Sequence, residues 1–221
     1  HHHNIPKIDD HEFKQKILSL EDKFTNSIND LNNEHIRLKR LITEQLKKRN
    51  LHEMHLALNN MEKYSHDESL ITVYKLILDS LLLLREWATY IFSLHHMMEE
   101  MKPILVTIVY VSNKINFAEF SYIREILRIK YGDSFINRAI NNEDNLIREE
   151  IVNCLKNKKI DFDLLFEKIK AFANENNIII DNELLTHAKE LSDFNLLHNS
   201  VKDYDDGINN ELLNDVQIRI N

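Results

Sequence analysis

The segment FKQKILSLEDKFTNSINDLNNEHIRLKRLITEQL, residues 13–46, determines the fold of this chain. Its apolar residues recur every three or four positions, except that His35 occupies the apolar position between Leu31 and Leu38. The apolar positions are Phe13, Ile17, Leu20, Phe24, Ile28, Leu31, Leu38, Leu41, Ile42 and Leu46. This period predicts one long helix with an apolar stripe that needs a partner helix.

A second apolar stripe follows after only a few residues. It begins at Met54 and extends to Met98, and we expect Pro103 to end its helix. The helical rise per residue gives two helices of about 60 and 70 Å. Because the connection is short, the two stripes predict an antiparallel helical hairpin. Asn50 is expected to end the first helix in a left-handed conformation.

Shorter helices are predicted after the hairpin. Residues 104–115 are apolar on nearly all sides, which predicts a buried helix. Asn116 and Glu119 have the spacing of a capping box, and Gly132 can end the helix that follows. Further helices are expected to start at Asp133, near Asn142, at Asp161 and at Asp181. The prediction is therefore an all-α fold with a long helical hairpin followed by shorter helices.

The composition supports long helices and excludes several classes of site. Only two glycines and two prolines occur in 221 residues, so no glycine-rich phosphate-binding loop can be written. Cys154 is the single cysteine, which excludes a disulfide framework and a CxxC zinc site and indicates a reducing, intracellular compartment. The most apolar stretch, residues 70–98, contains four charged residues, which predicts a buried helix that does not span a membrane.

The ends of the chain differ from its centre. His1, His2 and His3 resemble the remnant of an affinity tag, and residues 1–8 are expected to be disordered. From Asp181 onward there are nine acidic and three basic residues, although the whole chain has a net charge of −8. We therefore predict a helical domain at residues 9–199 and an acidic, flexible tail at 200–221.

One basic segment stands out in this acidic chain. Its cations are Arg37, Lys39, Arg40, Lys47, Lys48 and Arg49. Nucleic acid is disfavoured as its partner, because aromatic residues do not alternate with these cations and the net charge is negative. The segment is a candidate contact face for acidic lipid headgroups or an acidic partner, and a solvated helix end is the alternative.

No pattern of a catalytic or metal site occurs. His52 with His55, and His95 with His96, form the histidine pairs, but the sequence has no HExxH motif and no Glu followed by His three residues later. A GxSxG nucleophile motif is also absent. We therefore expect a protein that is not an enzyme and has no cofactor or metal.

The sequence EFSYIREILRIKYGDSF, residues 119–135, resembles the signature of the increased sodium tolerance family, E-[LF]-x-x-[IL]-[RK]-x-x-[LF]-x-x-[KR]-[YF]-G-x-x-F. Residues 76–85, 145–155 and 162–179 resemble other helices of that family in the same order. The likeness covers roughly residues 13–182. The signature positions are Glu119, Ile123, Arg124, Leu127, Lys130, Tyr131, Gly132 and Phe135. Four of them have the spacing of one buried stripe, whereas Arg124 and Lys130 are expected to pair with hairpin acids or to be solvated.

The resemblance implies the ESCRT-III-like fold, an elongated helical bundle built on a long antiparallel hairpin with shorter helices packed along it. It also implies a non-catalytic function. Such a protein regulates the vacuolar protein sorting AAA ATPase that disassembles ESCRT-III polymers in endosomal, multivesicular-body sorting. Its implied partners are ESCRT-III subunits of the charged multivesicular body protein type and that ATPase. Self-association and peripheral contact with endosomal membranes from the cytoplasm are further expectations. The alternative is a structural coiled-coil or tethering protein that resembles the family only in its long helices.

Overall fold

A computed structural model describes residues 10–156 and 161–191 of the chain. These residues are mostly helical and contain no strand, so the all-α prediction is confirmed. The helices are α1 (Asp10–Lys47), α2 (Leu51–Glu86), α3 (Ala88–Ser93), α4 (Lys102–Ser112), α5 (Ala118–Tyr131), α6 (Asp133–Ile140), α7 (Glu149–Leu155) and α8 (Phe162–Glu175). A 3-10 turn at Glu99–Met101 precedes α4, and residues 182–191 form a further helix, α9. The predicted disordered start and acidic tail lie outside the described residues.

Helices α1 and α2 form the predicted antiparallel hairpin, but its turn differs in detail. Arg49, and not Asn50, has the left-handed conformation, with φ of 52°. Asn50 instead caps α2, since its Oδ1 accepts a hydrogen bond from the backbone N–H of Glu53 at 2.9 Å. The first amides of a helix have no acceptor within the helix, and an Asn side chain supplies one.

The second long helix ends earlier than predicted. Hydrogen bonds at 2.9 Å from Trp87 N to Leu83 O and from Ile91 N to Trp87 O continue the helical pattern from α2 into α3. Leu94 then adopts an extended conformation and the helix stops. The prediction that Pro103 ends this helix was wrong, because Pro103 lies in the first turn of α4. Proline suits that turn because the amide it lacks would have no partner there.

The described residues divide into two compact units, each with its own core. The first unit comprises residues 10–32 and 69–156. Its core joins Phe13 to Phe24 of α1, Val73 to Leu84 of α2, and the later helices α3 to α7. Residues 105–112 of α4 are all buried, as the continuous apolar run predicted. The ring of Phe24 meets Tyr74 edge-on, with ring centroids 5.1 Å apart.

The second unit comprises residues 33–68 and 161–191. Its core contains Leu38, Ile42 and Leu46 of α1 and Met54, Ala57, Leu58 and Met61 of α2. Helices α8 and α9 cover them with Leu165, Phe166, Ile169, Phe172, Ala173, Leu185 and Ala188. Both covering helices start at the predicted aspartates, whose Oδ1 atoms accept hydrogen bonds from the first amides of α8 and α9 at 3.0–3.3 Å.

One predicted helix start was wrong. Asn142 does not begin a helix, because it has a φ of 50° and Asn145 has a φ of 53°. Two left-handed residues so close together turn the chain instead of coiling it. Helix α7 begins later, at Glu149.

The turn of the hairpin provides a test of backbone strain. Arg49→Gly should be more stable than Arg49→Ala by about 1 kcal/mol, because only glycine adopts a positive φ without a steric cost. Both variants lose the same charge, so their difference isolates the backbone. Urea unfolding measures it, and equal stability of the two variants would show that Arg49 is not held in the left-handed region.

Candidate functional site

The signature residues begin with a buried carboxylate at the start of α5. Glu119 is only 7% exposed. Its oxygens accept hydrogen bonds from Ser19 Oγ at 2.5 Å and from Lys23 Nζ at 2.6 Å, and both donors lie on α1. The predicted capping box was wrong, since Phe117 is the N-cap residue and has no side-chain cap. A cation on another helix is a stronger partner for a buried carboxylate than a backbone amide of its own turn.

The partners of Glu119 also determine its ionisation. Burial raises the pKa of its carboxyl group, but the hydrogen bonds from Lys23 and Ser19 outweigh burial and leave the pKa below its usual value. At neutral pH Glu119 is therefore charged, and its ion pair with Lys23 links α5 to α1 within the first unit.

The two cationic signature residues bind carbonyl groups. Arg124 Nη1 donates to the backbone O of Ser112 at 3.1 Å and to its Oγ at 3.2 Å, at the end of α4. Lys130 Nζ donates to the backbone O of Phe92 at 3.4 Å, at the end of α3. The carbonyl groups that end a helix lack partners within it and attract cations. These two side chains therefore close helix ends, a role that neither sequence expectation included.

The other signature residues pack or turn the chain. Ile123 and Leu127 are fully buried, and Tyr131 meets Phe135 edge-on with centroids 5.7 Å apart. Gly132 has a φ of +95°, and a Cβ atom built there would meet nothing within 4 Å. Backbone conformation alone therefore favours glycine at this position. All eight signature residues thus lie within the first unit, in contacts that hold its helices together.

The six cations of the basic segment fall into three groups. Arg37 and Lys48 bind carboxylates, at 2.6 Å to Glu34 and 3.3 Å to Glu53. Arg49 lies in the hairpin turn. Lys39, Arg40 and Lys47 form no ion pair with any described residue, and they share one exposed side of α1.

We call this side of α1 the Ile36 face. It is a shallow depression of about 420 Å³ lined, among the described residues, by Ile36, Lys39, Arg40, Thr43, Glu44 and Lys47. Ile36 is 58% exposed and is the first of these lining residues along α1. Our reading of the sequence missed Ile36, although its position off the apolar stripe of α1 indicates an exposed apolar side chain. An exposed aliphatic residue on the same face as Lys39 and Arg40, which have no ion pair among the described residues, suits a surface that is both anionic and apolar.

Glu34 removes Arg37 from this set of available cations. Hydrogen bonds from Arg37 lower the pKa of Glu34 to about 2, and Lys63 adds to that effect against the opposing influence of burial. The Glu34–Arg37 pair has the three-residue spacing of neighbours on a helix surface. This spacing is the signal by which the sequence could have separated Arg37 from the unpaired cations.

The side chains that could ligate a metal or act as a nucleophile form no cluster among the described residues. Within residues 10–156 and 161–191, no group of three or more His, Cys, Asp or Glu side chains is placed to hold a metal ion. Burial raises the pKa of the Cys154 thiol. Over the same residues, no helix combines the length and apolar character that crossing a membrane requires.

Comparison with known proteins identifies a matching family model and similar solved structures. The family model of Ist1, described as a regulator of Vps4 activity in the MVB pathway, matches residues 26–179. Among solved structures, the S. cerevisiae Ist1 N-terminal domain in complex with the Did2 MIM motif is similar, with a TM-score of 0.66 and 14% identity. That similarity covers 80% of this chain and 96% of the yeast chain and concerns the fold. A search of curated proteins finds no match.

The buried carboxylate of α5 gives a prediction with a pH dependence. Glu119→Gln should lower the free energy of unfolding at pH 7 by about 1.5–3 kcal/mol, because it removes the charge that Lys23 and Ser19 bind. Since the folded-state pKa lies below the usual value, this stabilisation exists above about pH 4.5 and is lost as the pH falls below it.

Urea unfolding of both proteins between pH 3 and pH 7 measures the difference. Glu125→Gln is the matched control, because Glu125 lies on the same helix but pairs with Arg128 at the surface, and it should change stability little. If Glu119→Gln lowers the free energy of unfolding equally at pH 3 and pH 7, the ion pair of Glu119 with Lys23 does not account for the stabilisation.

Proposed function

The chain belongs to the Ist1 family of regulators of Vps4 activity in the MVB pathway, and from this membership we propose that it works by binding other proteins without catalysing a reaction. The family match over residues 26–179 is the observation that carries the proposal. The matched range draws on both compact units, which favours a family regulator over a tethering protein with merely similar helices.

We propose that the partner is a short helical motif of an ESCRT-III subunit of the charged multivesicular body protein type. The support is the yeast Ist1 N-terminal domain of the same fold, which was solved with the Did2 MIM motif. An amphipathic helix binds a helical bundle through apolar residues three and four positions apart. Binding of this kind needs no catalytic group, metal or cofactor.

A second part of the proposal concerns the division of the chain. Residues 9–199 would form the ESCRT-III-like domain that binds the subunit, and the acidic residues 200–221 would contact the ATPase. Self-association through the hairpin belongs to the same proposal. The signature residues Glu119 to Phe135 would contribute indirectly, by holding the first unit in its binding shape.

We also propose that the Ile36 face makes the peripheral contact with endosomal membranes on the cytoplasmic side. Lys39, Arg40 and Lys47 have no ion pair among the described residues, so they would lose none on meeting anionic headgroups. Each cation near an anionic membrane contributes about 1 kcal/mol. Ile36 would add apolar contact at the headgroup boundary. An acidic helix of a partner is the alternative occupant, and a purely solvated face is the outcome in which neither binds.

The partner proposal is tested with a fluorescent peptide of the Did2 MIM motif. Titration with the full chain should give saturable binding in the micromolar range, measured by fluorescence anisotropy. The same peptide with its apolar anchors changed to serine should not bind. Absence of saturable binding at high-micromolar concentrations of the chain would count against the proposal.

The membrane proposal is tested by reversing two charges. Lys39→Glu with Arg40→Glu should weaken sedimentation with phosphatidylserine vesicles at least about thirtyfold, given roughly 1 kcal/mol for each lost cation. Lys75→Glu with Lys156→Glu makes the same change in net charge at other exposed positions and should bind nearly as the unaltered chain does. Equal losses in the two double variants would mean that net charge, and not the Ile36 face, governs vesicle binding.

A further inference from the structure

His35 is a polar side chain of the second unit at a position where the core would be expected to have an apolar one. It lies in the apolar stripe of α1 at a position where the spacing calls for an apolar residue. Its side chain is 24% exposed, and its Nε2 atom is buried with no hydrogen-bond partner among the described residues. A buried polar nitrogen without a partner is unfavourable. Neutral His35 therefore leaves an unmet hydrogen-bonding requirement inside this unit.

Two ring contacts link this side chain to α8, and a third contact joins it to α2. The ring of His35 stacks on Tyr64 of α2, with centroids 4.0 Å apart and an interplanar angle of 17°. Tyr64 in turn meets Phe172 of α8 edge-on at 5.5 Å. On the other side, His35 Nε2 lies 3.5 Å from Oε2 of Glu68, whose side chain is 67% exposed. The imidazole thus lies between a solvated carboxylate and an aromatic pair that ends on α8.

The charges around the His35–Tyr64 stack are of both signs. Burial raises the pKa of Tyr64, and the carboxylates Glu68 and Glu175 raise it further, which places both near the stack. The cations of the region already have acceptors, since Lys63 binds Glu34 and Asp67 and Lys168 donates to Ser65. The charged and titratable groups to consider are Glu34 on α1, Lys63, Tyr64, Asp67 and Glu68 on α2, and Lys168 and Glu175 on α8.

We propose that protonation of His35 fastens the last turns of α8 to the hairpin, so that this part of the second unit opens less readily at mildly acidic pH. The protonated Nε2–H makes a charge-assisted contact with Glu68 and meets its hydrogen-bonding requirement. The charged ring also gains a cation–π interaction with Tyr64, which is packed against Phe172. The exposure of Glu68 keeps one side of the new charge near water, which limits the cost of desolvation.

The direction of the effect follows because the Glu68 carboxylate and the Tyr64 ring attract the charged imidazole more strongly than the neutral one. Histidine side chains ordinarily titrate near pH 6.5. The added stability is therefore present at mildly acidic pH, where the imidazole binds a proton, and is lost as the pH rises and the proton is released. Opening of α8 would remove Leu165, Phe166, Ile169, Phe172 and Ala173 from the core of the second unit. Protonation of His35 thus controls access to apolar residues of the second unit. This inference does not depend on the function proposed above.

Hydrogen exchange of the full chain at pH 5.5 and pH 8.0, read by mass spectrometry and corrected for the intrinsic exchange rate, tests the proposal. The opening of residues 162–176 should be about threefold to tenfold less frequent at the lower pH, as one exposed ion pair and one cation–π contact imply. His35→Phe keeps the ring but cannot be charged, and Glu68→Gln removes the carboxylate. Both should abolish the pH difference, whereas His52→Phe, at an exposed position of α2, should retain it.

Two results would overturn the proposal: an unaltered chain whose α8 opening is the same at both pH values, or a His35→Phe variant with the full pH difference. If His35→Phe does not fold, NMR of the imidazole Cε1 proton supplies a second measurement. In Glu68→Gln the His35 signal should titrate at a lower pH, while that of His52 stays unchanged. An unmoved His35 titration would exclude the contact with Glu68.

Discussion

The apolar stripe of α1 is the constraint on which both compact units depend. Its N-terminal part, from Phe13 to Phe24, enters the core of the first unit, and its C-terminal part, from Leu38 to Leu46, enters that of the second. A helix about 57 Å long cannot bury such a stripe by itself. Helix α2 covers part of it in each unit, and the shorter helices complete the two cores.

Much of this architecture could be predicted from the sequence because it depends on local periodicity. The two long helices, the buried α4 and the aspartate caps of α8 and α9 each have a signal within a few residues. The end of the second long helix has none, since residues 94–98 remain partly apolar and contain no glycine or proline. The predicted capping box was wrong although it had a clear local signal. Its local pattern was real, but Glu119 found a stronger partner in Lys23, about a hundred residues away in the chain.

The same distinction applies to the candidate sites. The signature pattern predicted one buried stripe, and Ile123 and Leu127 are indeed buried. That Arg124 and Lys130 close the ends of α4 and α3 could not be predicted, because those helix ends are brought to α5 by tertiary packing. In the basic segment, the sequence identified six cations but not which of them were available. Pairing with Glu34 and Glu53 removes two, Arg49 lies in the hairpin turn, and the other three, which have no ion pair among the described residues, share a side of α1 with Ile36.

Regulation by contact is the central conclusion for this member of the Ist1 family, and ATP hydrolysis by Vps4 tests it most directly. The rate should be measured with an ESCRT-III subunit present, while the full chain is added up to concentrations that saturate its binding of the MIM-motif peptide. A regulator that acts by binding changes the rate saturably and hydrolyses no ATP when Vps4 is omitted. A rate that stays constant throughout the titration, or hydrolysis by the chain alone, would contradict this function.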